Sequence, residues 1–180
     1  MTKCSREPGS SCMPSKDAGT STLMEMPPPP SVGRPDSALP AFCIALRSQA
    51  PYVKAARRAA RAWVLRWCAM PEDQADVLVL VLSELCTNAV VHGRHDSYEL
   101  RGWMSAQDEV CLEVNDHSPS PIPVPRHAGS ECENGRGLLL VDVLIEQMGG
   151  AWGFSEDGAR AWCRVPLKPP GWRSGRTLLR

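Results

Sequence analysis

The chain has 180 residues, 43% hydrophobic and 22% charged, with Lys plus Arg equal to Asp plus Glu at 20 each. That length suits one domain with a substantial core plus tails, and the balanced charge creates no overall field to draw the protein onto nucleic acid or an anionic membrane. The eight cysteines stand singly, with no C-x-x-C pair to converge two sulfurs on a zinc or redox centre.

Most of those cysteines are therefore expected to be small buried hydrophobes. No apolar run approaches the roughly 18–20 residues of a membrane-spanning helix, and the N-terminus has no charged region followed by an apolar core. A cytoplasmic location without a membrane segment is the expectation.

Residues 1–40 mix Ser, Pro, Gly and Met, include the run Pro27-Pro28-Pro29-Pro30 and show no apolar periodicity. Such a segment cannot bury enough surface to offset its ordering entropy, so a disordered tail is expected, with a proline-rich docking ligand as the alternative. At Ala41 the texture changes. Phe42 to Leu46 reads as a first strand, and Pro51 opens a helix running to about Ala69. In that helix Val53, Ala56, Ala60, Trp63, Val64 and Trp67 are placed on one side. Lys54, Arg57, Arg58, Arg61 and Arg66 populate the other, a solvated face that could also hold an acidic partner.

Pro71-Glu72-Asp73-Gln74 begins a second helix, with acids where the helix dipole favours them, and Gly93 follows its end. Ser97–Ser105 and Glu109–Asn115 read as two strands joined at Ala106-Gln107-Asp108. In the second, Val110, Leu112 and Val114 alternate with Cys111, Glu113 and Asn115, the pattern of one covered face. The alternating prolines at 119, 121, 123 and 125 exclude helix and central strand, so residues 117–133 are a surface loop of the length used for lids. Asn134 to Leu138 lead into a third helix, Leu139 to Met148, stopped by Gly149-Gly150. Ala151–Glu156 and Arg160–Leu167 complete the domain as strands about Asp157-Gly158, and 168–180 is a short basic tail.

Chemistry is most visible in residues 77–93. The first half of this segment is apolar at nearly every position, yet Glu84, Asn88 and His92 recur every fourth residue and make one polar stripe on a helix. A carboxamide oxygen suits Mg²⁺, and a carboxylate one turn away can take a proton from a hydroxyl. The same stripe is equally compatible with the solvent face of an amphipathic helix. Gly135 and Gly137, ahead of the third helix, would let main-chain N–H groups approach a phosphate, or simply make a turn.

Taken together, S-E-L-x-T-N-A-x-x-H-G at 83–93, V-N-D-H-S at 114–118 and G-R-G-L at 135–138 resemble the N-box and the two glycine boxes of the GHKL ATPase superfamily. That superfamily includes gyrase, sensor histidine kinases and the anti-sigma-factor serine kinases. The RsbW-like branch of serine kinases is the most similar. The resemblance covers about residues 41–167, flanked by tails 1–40 and 168–180. It implies an α+β fold of the Bergerat type, a two-layer α/β sandwich with helices on one face of a mixed, mostly antiparallel sheet. It further implies ATP and Mg²⁺ as cofactors, with Glu84 as general base, Asn88 as metal ligand and Asp116 as adenine anchor. Gly135, Arg136, Gly137 and Leu138 would form the phosphate segment, Leu138 in a packing role.

By the same resemblance the partners would be a sigma factor and a STAS-type anti-anti-sigma protein, with a homodimer as the expected assembly. An ATP-binding interaction module that transfers little phosphate is the alternative. One departure bears on that choice. The family pattern D-x-G-x-G contrasts with Asp116-His117-Ser118-Pro119, which has no glycine to bring the backbone close to a nucleotide.

Overall fold

The computed structural model describes residues 39–121 and 136–167. The expected tails, most of the expected lid and Gly135 lie outside the described residues. Strand β1 (Ala41–Arg47) is followed by helices α1 (Ala50–Trp67) and α2 (Glu72–His92), strands β2 (Ser97–Met104) and β3 (Glu109–Asn115), helix α3 (Arg136–Gln147), and strands β4 (Ala151–Phe154) and β5 (Arg160–Pro166). The five strands form one sheet in the order β1-β2-β3-β5-β4. Every neighbouring pair is antiparallel, so the described sheet contains no parallel pair.

The three helices lie over one face of this sheet, with α2 packed between α1 and α3. The period-two pattern sends Tyr98, Leu100, Val110, Leu112, Val114, Cys163 and Val165 into the layer between helices and strands. There they meet Leu78, Val81, Leu82, Leu85 and Cys86 of α2 and Val141 and Ile145 of α3. By length and composition α2 could cross a membrane, with a mean hydropathy of 1.5 over its best window. Its apolar character, stronger than the sequence reading allowed, has a structural cause. As the central helix it touches α1, α3 and the sheet at once, and nine of its side chains are buried.

One element differs from expectation at its edge, and another closes as expected. Ala56, Ala60, Trp63 and Val64 of α1 are buried, but Trp67 is 61% exposed, because α1 ends at that residue and the chain turns through Ala69 with φ +51°. The Arg66 guanidinium lies over its ring at 5.7 Å. Helix α3 ends in a Schellman motif. The N–H of Gly150 donates to the Ile145 carbonyl and that of Gly149 to Glu146, with Gly149 at φ +68°.

The alternation in β3 suggested one covered face, yet Cys111 and Glu113, which point away from the helices, are 0% and 2% exposed. Cys111 stands in register between Trp103 and Arg164, and Glu113 between Arg101 and Trp162, so large side chains flank the smaller ones on both sides. Burial pushes the Glu113 carboxyl above its ordinary 4.5, opposed by Arg160 and Arg101 and reinforced by Glu99. A raised carboxyl value means that the folded chain holds the proton more tightly than the unfolded chain. Stability from this group is therefore full below 4.5 and falls as pH rises through the folded value. Glu113→Gln is expected to remove this slope and to be at least as stable as wild type at neutral pH. Urea midpoints of the two proteins across the acid-to-neutral range check it.

Of the five described cysteines, all free, Cys68, Cys86, Cys111 and Cys163 are buried and Cys43 is exposed. Burial pushes the four buried thiols up to about 12, so they remain protonated and act as small core side chains.

Candidate nucleotide site

The C-terminal half of α2 carries the polar stripe past two other elements. Leu82, Leu85, Cys86 and Ala89 face the core, which turns Glu84 and Asn88 to a half-buried position and leaves His92 exposed. At one end of the stripe Glu84 meets the start of α3. A Cβ placed on Gly137 would lie 2.5 Å from Glu84 Oε2, so the carboxylate rests directly against the first turn of α3 and would have to swing aside for any side chain there. Arg136, the first residue of α3, is exposed, and Leu138 is buried in the core beside the loop.

At the other end, Gly93 meets the residue that follows β3. Gly93 is extended (φ −63°, ψ 151°), not left-handed as a glycine past a helix usually is. Its N–H donates to the Ala89 carbonyl at 3.0 Å. A side chain here would collide with that carbonyl and sit 3.3 Å from Asp116 Cβ. Glycine is thus required at 93 by the Ala89 carbonyl one turn back, and it also leaves room for Asp116 to pack closely beside it. From Glu84 to Gly93 the helix rises about 13 Å. Asn88, half-buried, lies one turn beyond Glu84 on the same helix.

The segment after β3 is held by its own side chains. Asn115 Oδ1 accepts the N–H of His117 at 2.9 Å and Asp116 Oδ1 accepts that of Ser118 at 2.8 Å, two successive Asx turns. His117 adopts φ +58°, a left-handed conformation that histidine enters more readily than most residues. Its ring stands edge-on to that of His95, with centroids 6.2 Å apart. The close backbone approach absent from 116–120 occurs across from it instead. Gly158, at φ +72°, packs on the Ser120 carbonyl so tightly that no Cβ would fit, and the Ser120 N–H donates to Asp157 at 3.0 Å.

The described contacts thus join Glu84 to Gly137 and Gly93 to Asp116, with Asn88 on α2 between Glu84 and Gly93 in the chain, while Gly135 and residues 122–133 of the expected lid lie outside the described residues. Among the described residues no cluster of three or more His, Cys, Asp or Glu could hold a metal ion by itself. A single carboxamide suits Mg²⁺, which commonly takes one or two protein oxygens and completes its shell with phosphates and water. A groove of about 500 Å³ at the opposite end of β3 and β5 is lined by Cys68, Ala69, Pro71, Gln107, Asp108 and Pro166. It brings no pair of acid–base groups together.

A helix-covered antiparallel sheet with a glycine-opened α3, facing a carboxamide and a carboxylate on the central helix, defines a nucleotide-binding class of protein. The family model of the histidine kinase-like ATPase domain matches residues 46–158, more than half of the chain. The chain belongs to that family, within the GHKL superfamily.

Similar solved structures include the RsbU and RsbW domains of Rv1364c from Mycobacterium tuberculosis, at 15% identity and TM-score 0.48, covering 70% of this chain and 31% of that one. Others are the Erythrobacter litoralis EL346 blue-light activated histidine kinase (19%, TM-score 0.42, covering 54% and 32%) and its histidine kinase domain (20%, TM-score 0.44, covering 65% and 60%). This chain thus spans about a third of the first two and less than two thirds of the last. No curated protein sequence matches it significantly.

Proposed function

We propose that the chain is an ATP-dependent protein serine/threonine kinase of the anti-sigma type, acting in the cytoplasm. It would hold a sigma factor away from RNA polymerase and phosphorylate a serine on a STAS-type antagonist. The observation that carries this reading is the pair of contacts that α2 and its cap make with residues of the other two motifs, Glu84 with Gly137 and Gly93 with Asp116. Mg²⁺–ATP, when bound, supplies the transferable phosphoryl group and the charge that offsets it.

The chain's own residues do the positioning. The Asn88 carboxamide oxygen holds the metal, and Asp116 accepts a hydrogen bond from the amine of the base. Where the Glu84 carboxylate now lies against Gly137, the backbone N–H groups and the helix dipole at the start of α3 would favour a phosphate in its place. Glu84 takes the proton from the acceptor hydroxyl. The family membership and the motif resemblance support the ATP site, and the motif resemblance alone supports the choice of partners.

A second reading has its own observation. The turn after Asp116 is built from serine, proline and a left-handed histidine in place of glycines, which favours a module that binds ATP to shape a docking surface and transfers little phosphate. Incubation with γ-labelled ATP and a STAS-domain protein separates the two. The kinase reading expects label on a serine of the partner, and an unlabelled partner in a complex that still binds ATP would overturn it. A pull-down with and without ATP, read by mass spectrometry, identifies the partners.

A further inference from the structure

We propose that Ser118 is a positioning residue whose hydroxyl, by holding the Asp116 carbonyl and the Arg94 N–H, fixes the turn that carries the Asp116 carboxylate for recognition of the 6-amino group of the purine. This rests on the ATP-site reading above. Ser118 is 4% exposed, one of four buried polar or charged residues among those described, and every hydrogen-bonding group it offers near Asp116 is in use. Its N–H donates to Asp116 Oδ1 at 2.8 Å and its hydroxyl donates to the Asp116 carbonyl at 3.1 Å. The same hydroxyl accepts the N–H of Arg94 at 2.7 Å.

The consequence is a clamp made from three segments. Ser118 joins the turn after β3 to the α2–β2 connection through Arg94, and the backbone N–H of Asp116 donates to the Ala159 carbonyl at 3.2 Å, at the start of β5. Gly93 abuts the Asp116 Cβ. An aspartate at the end of a strand would otherwise rotate freely about χ1. Here Oδ1 already has a backbone donor, which leaves Oδ2 with its lone pairs to accept from a base. The hydroxyl supplies, by hydrogen bonding, a local order that a bare glycine would leave to the nucleotide itself.

A carboxylate held this way accepts from an amino group and repels a carbonyl at the same position, so it distinguishes ATP from inosine triphosphate. The test is the ratio of the two dissociation constants, measured by calorimetry with Mg²⁺ for wild type, Ser118→Ala, Ser118→Thr and Asp116→Asn. The expected result is a wild type that prefers ATP and a Ser118→Ala variant whose preference falls about tenfold, through weaker ATP binding with unchanged inosine triphosphate binding. Ser118→Thr, which keeps the hydroxyl, retains the preference, and Asp116→Asn loses it.

If Ser118→Ala weakens both nucleotides equally, or keeps the wild-type ratio while Asp116→Asn loses it, Ser118 is a packing residue only and the proposal is overturned. A wild type with no preference for ATP overturns the ATP-site reading and this proposal with it. Should Ser118→Ala fail to fold, Ser118→Cys, whose thiol is a weak donor and acceptor, decides by the same ratio.

Discussion

Replacing Glu84 with glutamine is expected to lower phosphoryl transfer to the acceptor serine by about 10²–10⁴-fold, the range typical of a lost general base. Glutamine keeps the shape of the side chain and its place against Gly137 but cannot take the proton from a hydroxyl. Affinity for ATP should therefore hold within about twofold, since the base acts on the acceptor and not on the nucleotide. Glu84 is half-buried on α2, so the isosteric change leaves the core intact. Single-turnover transfer to the partner, with ATP affinity measured in parallel, reads both quantities. Unchanged transfer would remove Glu84 from the chemistry.

The second large effect is at Asn88, one turn further along the same helix. Asn88→Ala is expected to weaken Mg²⁺-dependent ATP binding by about a hundredfold or more, corresponding to ~2.7 kcal/mol. The structure separates this loss from unfolding. Asn88 is half-buried, while its neighbours Leu85, Cys86 and Ala89 face the core, and no hydrogen bond among the described residues runs from its side chain to the rest of the fold. Alanine is also the strongest helix former, so α2 does not suffer. The melting temperature should stay near wild type, and titration with ATP in Mg²⁺ and then in a chelator isolates the metal-dependent part. Wild-type affinity in this variant would count decisively against the metal-ligand role.

Much of the fold was legible because its signals are local. Prolines 51 and 71 open α1 and α2, Gly149-Gly150 closes α3, and the alternation of Val110, Leu112 and Val114 in β3 marks the face that the helices cover. Each depends on the backbone preferences of a few neighbouring residues. The misreadings share a different character. Trp67 looked like part of the buried side of α1, and its exposure follows from where the helix stops relative to the sheet. Glu113 looked like a solvent-facing residue, and its burial depends on Arg101 and Trp162, which belong to other strands.

The candidate site divides along the same line. The four-residue spacing of Glu84, Asn88 and His92 puts them on one side of any α-helix, and the three motifs resemble a known family, so the superfamily followed from the amino-acid order alone. Asn115 and Asp116, each two residues before a main-chain donor they cap, also carried a local Asx-turn signal that points to the ordered turn. What only the tertiary structure decided is which groups meet. Asp116 arrives beside Gly93 from β3, the Glu84 carboxylate lies against Gly137, and Gly158 is needed because the Ser120 carbonyl packs there. Ser118 reaches Arg94, 24 residues away. Such contacts join residues distant in the chain, and their geometry is set by how α2 lies across the sheet between α1 and α3, a packing outcome that no local spacing encodes.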